Sequence, residues 1–146
     1  MTVLPAPRPS VISRLRAAGC VFAEEEAGLL VAAATGPDHL DALVERRVSG
    51  LPLEHILGWA DFCGLRIAVD AGVFVPRRRT GFLVRQAARL LPPNGGLGHV
   101  PVVVDLCCGS GAVGTALAAL AGPLELHAAD IDPAAVRCAA RNIVPL

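Results

Sequence analysis

Over the first fifty positions the apolar residues recur at helical spacing. Val11, Ile12, Leu15 and Ala18 form one stripe, with Ser10 placed to cap it and Gly19 near its end. A second helix is predicted over residues 23–35. Glu24, Glu25 and Glu26 fall in its first turn, where the helix dipole favours acids. Its apolar face is Leu29, Leu30 and Ala33, and Gly36-Pro37 ends it. A third starts at Asp38, with Leu40, Leu43, Val44 and Val48 at i, i+3, i+4 and i+8. Short amphipathic helices on short links predict a small helical bundle over residues 1–50. None of its residues suggests chemistry. A docking module and a packing cap fit it equally.

From Gly50 the pattern changes. Residues 54–60 and 65–69 read as strands around a turn at residues 61–64, with Leu65, Ile67 and Val69 on one face and Arg66 and Ala68 on the other. A connecting hairpin and linker is therefore predicted over residues 51–79. Val73-Phe74-Val75 is a short apolar strand, followed by Pro76 and Arg77-Arg78-Arg79. Thr80 is placed to cap a helix whose inward positions are Leu83, Val84, Ala87, Ala88 and Leu91. Pro92-Pro93-Asn94-Gly95-Gly96 is a turn cluster.

The last stretch, residues 80–146, carries the strongest pattern. Val102-Val103-Val104-Asp105-Leu106 is a β-branched run ending beside an acid. A small-residue loop, Cys107 to Gly111, leads into a helix over residues 112–120. Residues 124–129 form a second strand, which ends at Asp130-Ile131-Asp132-Pro133. Asp132 as cap and Pro133 at the first helical position open another helix. This β-α-β-α order is the start of a parallel α/β sheet.

Composition narrows the function classes. The 146 residues carry 13 basic and 13 acidic side chains, so bulk charge attracts no nucleic acid. Aromatic content of 3% argues against a surface that stacks single-stranded bases. No apolar run reaches the roughly 18 residues of a membrane span, and no secretory pattern opens the sequence. The five cysteines fit neither a disulfide framework nor a zinc site, and reduced cytoplasmic thiols are expected. Cys107 and Cys108 read as small loop residues, and His55 and His127 as structural.

The loop leaves two cofactor readings open. Gly109-Ser110-Gly111-Ala112-Val113-Gly114 is a G-x-G-x-x-G, and Asp130 follows about twenty residues on, as in dinucleotide sites. Against this, Asp105 and the Cys107-Cys108 pair stand between strand and glycines, and a carboxylate there repels a pyrophosphate. S-adenosylmethionine (SAM) carries a cationic sulfonium and an amino group, so acids at both strand ends suit it better.

His55-Ile56-Leu57-Gly58, Phe62, Gly64-Leu65, Val69 and Gly72-Val73-Phe74-Val75-Pro76-Arg77 belong to one pattern. Asp105-Leu106-Cys107-Cys108-Gly109-Ser110-Gly111-Ala112-Val113 and Ala129-Asp130-Ile131-Asp132 complete it. Together they resemble the N5-glutamine methyltransferases of peptide chain release factors (the HemK/PrmC-like family). The resemblance implies an N-terminal helical domain, a hairpin, and the first β-α-β-α units of an incomplete Rossmann-like SAM-dependent methyltransferase sheet. It implies that Asp105, Cys107, Gly109 and Gly111 line the methionine end and ribose of SAM. Asp130 would take the ribose hydroxyls, Ile131 would pack on adenine, and Arg77 would border the methionine end or target entrance.

This sequence departs from the family at Cys107, which stands for the usual first loop glycine. Arg78 and Arg79 replace a proline and an acid, and Gly81 stands where an acid is common. The family's Asn-Pro-Pro-Tyr motif, which holds the target amide, does not occur in it. The expectation is a truncated form that is inactive by itself. A non-catalytic SAM- or protein-binding remnant and a nicotinamide-nucleotide-binding fragment remain as alternatives. An open sheet edge and self-association are expected.

Overall fold

The computed structural model describes residues 8–92 and 100–143. The chain divides at Leu57 and Gly58 into units Met1–Leu57 and Gly58–Leu146. The turn cluster expected at residues 92–96 falls largely outside the described residues.

In the first unit, helices α1 (Pro9–Ala17), α2 (Ala23–Ala33), α3 (Pro37–Val48) and α4 (Leu53–Leu57) surround one core. Val11, Leu15, Ala23, Ala27, Leu30, Leu40, Leu43, Val44 and Ile56 are buried in it. Pro9, not Ser10, opens α1, because the fixed φ and missing N–H of proline suit the first helical position. The buried stripe of α2 is Ala23, Ala27 and Leu30, whereas the predicted Ala33 is exposed. Ala18 lies past the end of α1, and Val48 at the last turn of α3 is 38% exposed. Helix neighbours, and not the pattern of one helix, decide these positions. The Arg47 guanidinium grips Glu26 with two bonds, at 2.6 and 3.1 Å, on side chains that are mostly buried.

The second unit opens on an antiparallel hairpin, β1 (Trp59–Phe62) and β2 (Leu65–Ala68). The strand predicted over residues 54–60 is corrected here. The Pro52 carbonyl accepts the His55 and Ile56 N–H groups, so residues 53–57 coil into a helical turn before β1 begins. The predicted turn over residues 61–64 shrinks to Cys63-Gly64, both left-handed at φ 53° and 78°, which suits the twist of a two-residue hairpin. Ile67 and Val69 face inward as expected. Residues 73–75 form no strand; Val73 instead turns inward against Ala60, Val69 and Cys138. Thr80 caps nothing with its side chain: a 3-10 turn over Arg78–Thr80 runs straight into α5 (Gly81–Leu90). Val84 is buried on α5, while Leu83 is 56% exposed, against expectation.

Next come β3 (Val102–Leu106), α6 (Ala112–Ala121), β4 (Glu125–Ala129) and α7 (Pro133–Ile143). Strands β3 and β4 are parallel, in register from Val102↔Glu125 to Leu106↔Ala129. This is the α/β order expected of a Rossmann-like sheet. The Asp132 carboxylate accepts the Ala134 N–H at 2.8 Å and caps α7, as its sequence foretold. Phe62, Ile67, Val84, Ala112, Ala116 and Leu117 share a core, with Val103 packed against it. The other face of β3 is open rather than buried: Val102, Val104 and Leu106 are 61%, 58% and 72% exposed.

One side chain joins three parts of this unit. Asn142 on α7 accepts the Ala68 N–H at 2.8 Å and donates to the Ala68 carbonyl at 2.9 Å. Its amide nitrogen also donates to the Ser110 carbonyl at 2.8 Å. Replacing Asn142 by Ala strands these groups and is expected to cost about 1–3 kcal/mol in denaturant unfolding. Hydrogen exchange at the Ala68 amide should accelerate with it; unchanged protection there would refute the role.

Among the described residues β3 pairs only with β4, and its free edge carries no lysine, proline or bulge to discourage a further strand. The isolated 146-residue chain is expected to self-associate. A monodisperse monomer in light scattering would contradict this.

Candidate functional site at the β3–α6 loop

The loop between β3 and α6 reverses the chain within five residues, and three of them are left-handed. Cys107 has φ 58°, Gly109 54° and Gly111 74°. Glycine takes this conformation freely, while a side chain raises its energy by roughly 1–2 kcal/mol. Cys107 therefore adopts the backbone of the glycine whose place it takes, with its side chain exposed to water. Gly111 needs its missing side chain twice over. A Cβ there would lie 3.0 Å from the Ala139 Cβ, where α7 packs against the loop. Gly109 is the open position, with nothing within 4 Å of where a Cβ would stand.

Backbone and carboxylate bonds fix the loop. The Cys108 N–H donates to the Ala129 carbonyl at 3.0 Å, and the Gly111 N–H to the Cys108 carbonyl at 2.8 Å. Asp130, just past β4, accepts the Gly109 N–H on Oδ2 at 2.8 Å and the Asp132 N–H on Oδ1 at 3.0 Å. Asp105 accepts the Gly114 N–H on Oδ2 at 3.0 Å, in the first turn of α6. A Cβ on Gly114 would stand 3.2 Å from that oxygen and 2.9 Å from Leu126 Cδ2. The third glycine thus lets the helix approach both the carboxylate and β4.

Of the predicted site residues, Asp105, Cys107, Gly109, Gly111 and Asp130 gather around this loop. Ile131 stands beside them, 99% exposed. Arg77 stands apart. Its guanidinium rests 5.4 Å above the Phe74 ring, and among the described residues no hydrogen bond or ion pair joins it to the loop. Asn142 escaped sequence reasoning, because an asparagine in a last helical turn gives no local sign of partners far along the chain.

The two acids differ electrostatically. Burial lifts the Asp105 carboxyl above the usual range, partly offset by the Gly114 N–H. The N–H groups of Asp132 and Gly109 hold Asp130 below that range. Burial, with the charges of Asp105 and Asp130 nearby, raises the Cys108 thiol and keeps it protonated.

The sequence is similar to known methyltransferases. A family described as "Methyltransferase small domain" matches residues 86–145. A release factor glutamine methyltransferase of Bifidobacterium longum is 33% identical over 152 residues, covering 90% of this chain and 51% of that protein. The protein of the same name from Mycolicibacterium smegmatis is 33% identical over 159 residues, 97% of this chain and 54% of that protein. In sequence, the chain is similar to release factor glutamine methyltransferases. A further relative, from Geobacter sulfurreducens, is 36% identical over 109 residues, 73% of this chain and 36% of that protein. The chain spans about half the length of the first two of these curated relatives. No helix among the described residues is long and apolar enough to cross a membrane.

A carbon-detected NMR titration of the carboxyl groups checks the site. Asp105 should take up its proton at a pH above the ordinary aspartate midpoint of about 3.9, and Asp130 below it. The reverse order would mean that the loop bonds are not formed as described.

Proposed function

We propose that this chain provides the SAM-binding side of a protein-(glutamine N5) methyltransferase acting on peptide chain release factors. The observation that carries the reading is the closure of the glycine loop on Asp130. The amides of Cys108, Gly109, Gly111 and Gly114 already donate to protein oxygens. A pyrophosphate needs free loop N–H groups, and here carboxylates hold two of them. A cationic ligand with ribose hydroxyls meets a different surface, in which the outward lone pairs of Asp130 accept and the bare Gly109 backbone allows close approach. The residues present therefore fit SAM better than a nicotinamide dinucleotide.

In this reading Asp130 takes the ribose hydroxyls, and the exposed Ile131 covers one face of the adenine. Gly109, Gly111 and the Cys107 backbone border the methionine portion. Asp105 acts from behind the loop, fixing the start of α6 and adding negative potential that favours a sulfonium. Arg77 is assigned to the target entrance. When held by these residues, SAM would supply an electrophilic methyl group for an acceptor amide nitrogen. Acceleration of such a transfer comes from positioning, which on this chain means holding the donor still. The groups that would hold the acceptor amide in the family, Asn-Pro-Pro-Tyr, are not among these 146 residues. By themselves, then, these residues bind the donor without transferring the methyl.

Calorimetric titration of the chain with SAM and with NAD tests the proposal. Heat is expected with SAM alone, and Asp130→Asn should weaken that binding about tenfold or more. Heat with NAD alone overturns the cofactor. Labelled methyl appearing on a release factor incubated with SAM and this chain alone would overturn the division of roles.

A further inference from the structure

The zero net charge of the chain conceals a one-sided stretch. Between Asp70 and Asp105 the sequence has no acidic residue, yet it carries Arg77, Arg78, Arg79, Arg85 and Arg89. All five are exposed, and none forms an ion pair among the described residues. The 3-10 turn and α5 align Arg78, Phe82, Arg85 and Arg89 at intervals of four, three and four residues, so they share one outward stripe about 16 Å long. Phe82, between the arginines, is 61% exposed. Just before the stripe Arg77 lies on Phe74, itself 67% exposed.

Helix formation gains only from Arg89, in the last turn of α5. Arg78 and Arg79 stand at the positive end of the helix dipole, with no acid in the first turn to offset them. Arg85 and Arg89 are like charges one turn apart, which repel. The opposite face of α5 is satisfied by core packing through Val84, Ala87 and Ala88. Apart from Arg89, the charge is thus held against local preference on a surface that packing does not use.

We propose that the α5 stripe binds a single-stranded nucleic acid, the arginines contacting phosphates and Phe82 and Phe74 stacking on bases. Aromatic residues are few in this chain, four Phe and one Trp, and composition alone argues against such a surface. Placement reverses that argument, because two of the five are exposed within this one arginine-rich stretch. Interleaved guanidinium groups and flat rings match alternating phosphates and bases. Acidic protein side chains would use the charge and leave the rings uncovered. A lipid surface would call on Leu83 and Leu90, 56% and 86% exposed, but these lie off the arginine stripe, about a third of a turn around the helix.

Fluorescence anisotropy of a labelled twenty-nucleotide oligouridylate, titrated with the full chain across a salt series, tests this. The triple variant Arg78→Gln, Arg85→Gln, Arg89→Gln should bind at least tenfold more weakly and flatten the log–log salt slope by about 2, near 0.7 per lost phosphate contact. Phe82→Ala should weaken binding about fivefold or more with the slope unchanged. If the triple variant does not fold by circular dichroism, Arg89→Gln alone should still remove about 0.7 of slope. Unchanged oligouridylate binding in the arginine variants overturns the proposal. So does tighter, arginine-dependent binding of poly-glutamate or of phosphatidylserine vesicles.

Discussion

The Asn142 side chain gives the outer edge of β2 what a neighbouring strand would give it. Its amide accepts from the Ala68 N–H and donates to the Ala68 carbonyl, so it mimics a backbone peptide. A two-stranded hairpin is marginal in water, and its edge groups need partners once they approach a core. The same amide nitrogen reaches the Ser110 carbonyl in the ligand loop. Hairpin, loop and last helix are therefore one mechanical element. Cys138, one turn earlier, adds its thiol to the Ala68 carbonyl at 3.3 Å, and Arg141 pairs with Asp70. All three groups lie on one face of α7, which makes that helix the clamp on the hairpin.

The loop is accordingly held from three directions. Asp130 pulls on Gly109 from the end of β4, Asn142 on Ser110 from α7, and Asp105 fixes the first turn of α6 from β3. With so many bonds determining its path, the loop tolerates a left-handed cysteine at position 107. The geometry is imposed by neighbours. The residue at that position need only face water.

Much of this was legible in the sequence where the signal is local. The strand, small-residue loop and helix from Val102 onward follow from period and glycine placement. The Asp132-Pro133 start of α7 follows from capping chemistry between residues two apart. Legibility failed where the partner is distant. Residues 54–57 run straight into the strand at Trp59 and pass for part of it, but the Pro52 carbonyl, shared by two amides, turns them into a helix. Leu83 and Val84 are equally apolar, and only the packing of α5 on α6 decides that Val84 goes inward. The bond from the Gly114 N–H to Asp105 gives no sign of itself in the sequence. Asn142 reads as nothing at all.

The tip of the hairpin and the start of α5 meet without space between them. A Cβ on Gly81 would stand 3.0 Å from the Cys63 sulfur, and Cys63 is itself held in a left-handed turn. A side chain on Gly81 therefore requires the Cys63 sulfur to give way. Through divergence the two should travel as a couple: wherever a bulkier group appears at the helix start, the turn opposite must shrink or tilt away to admit it.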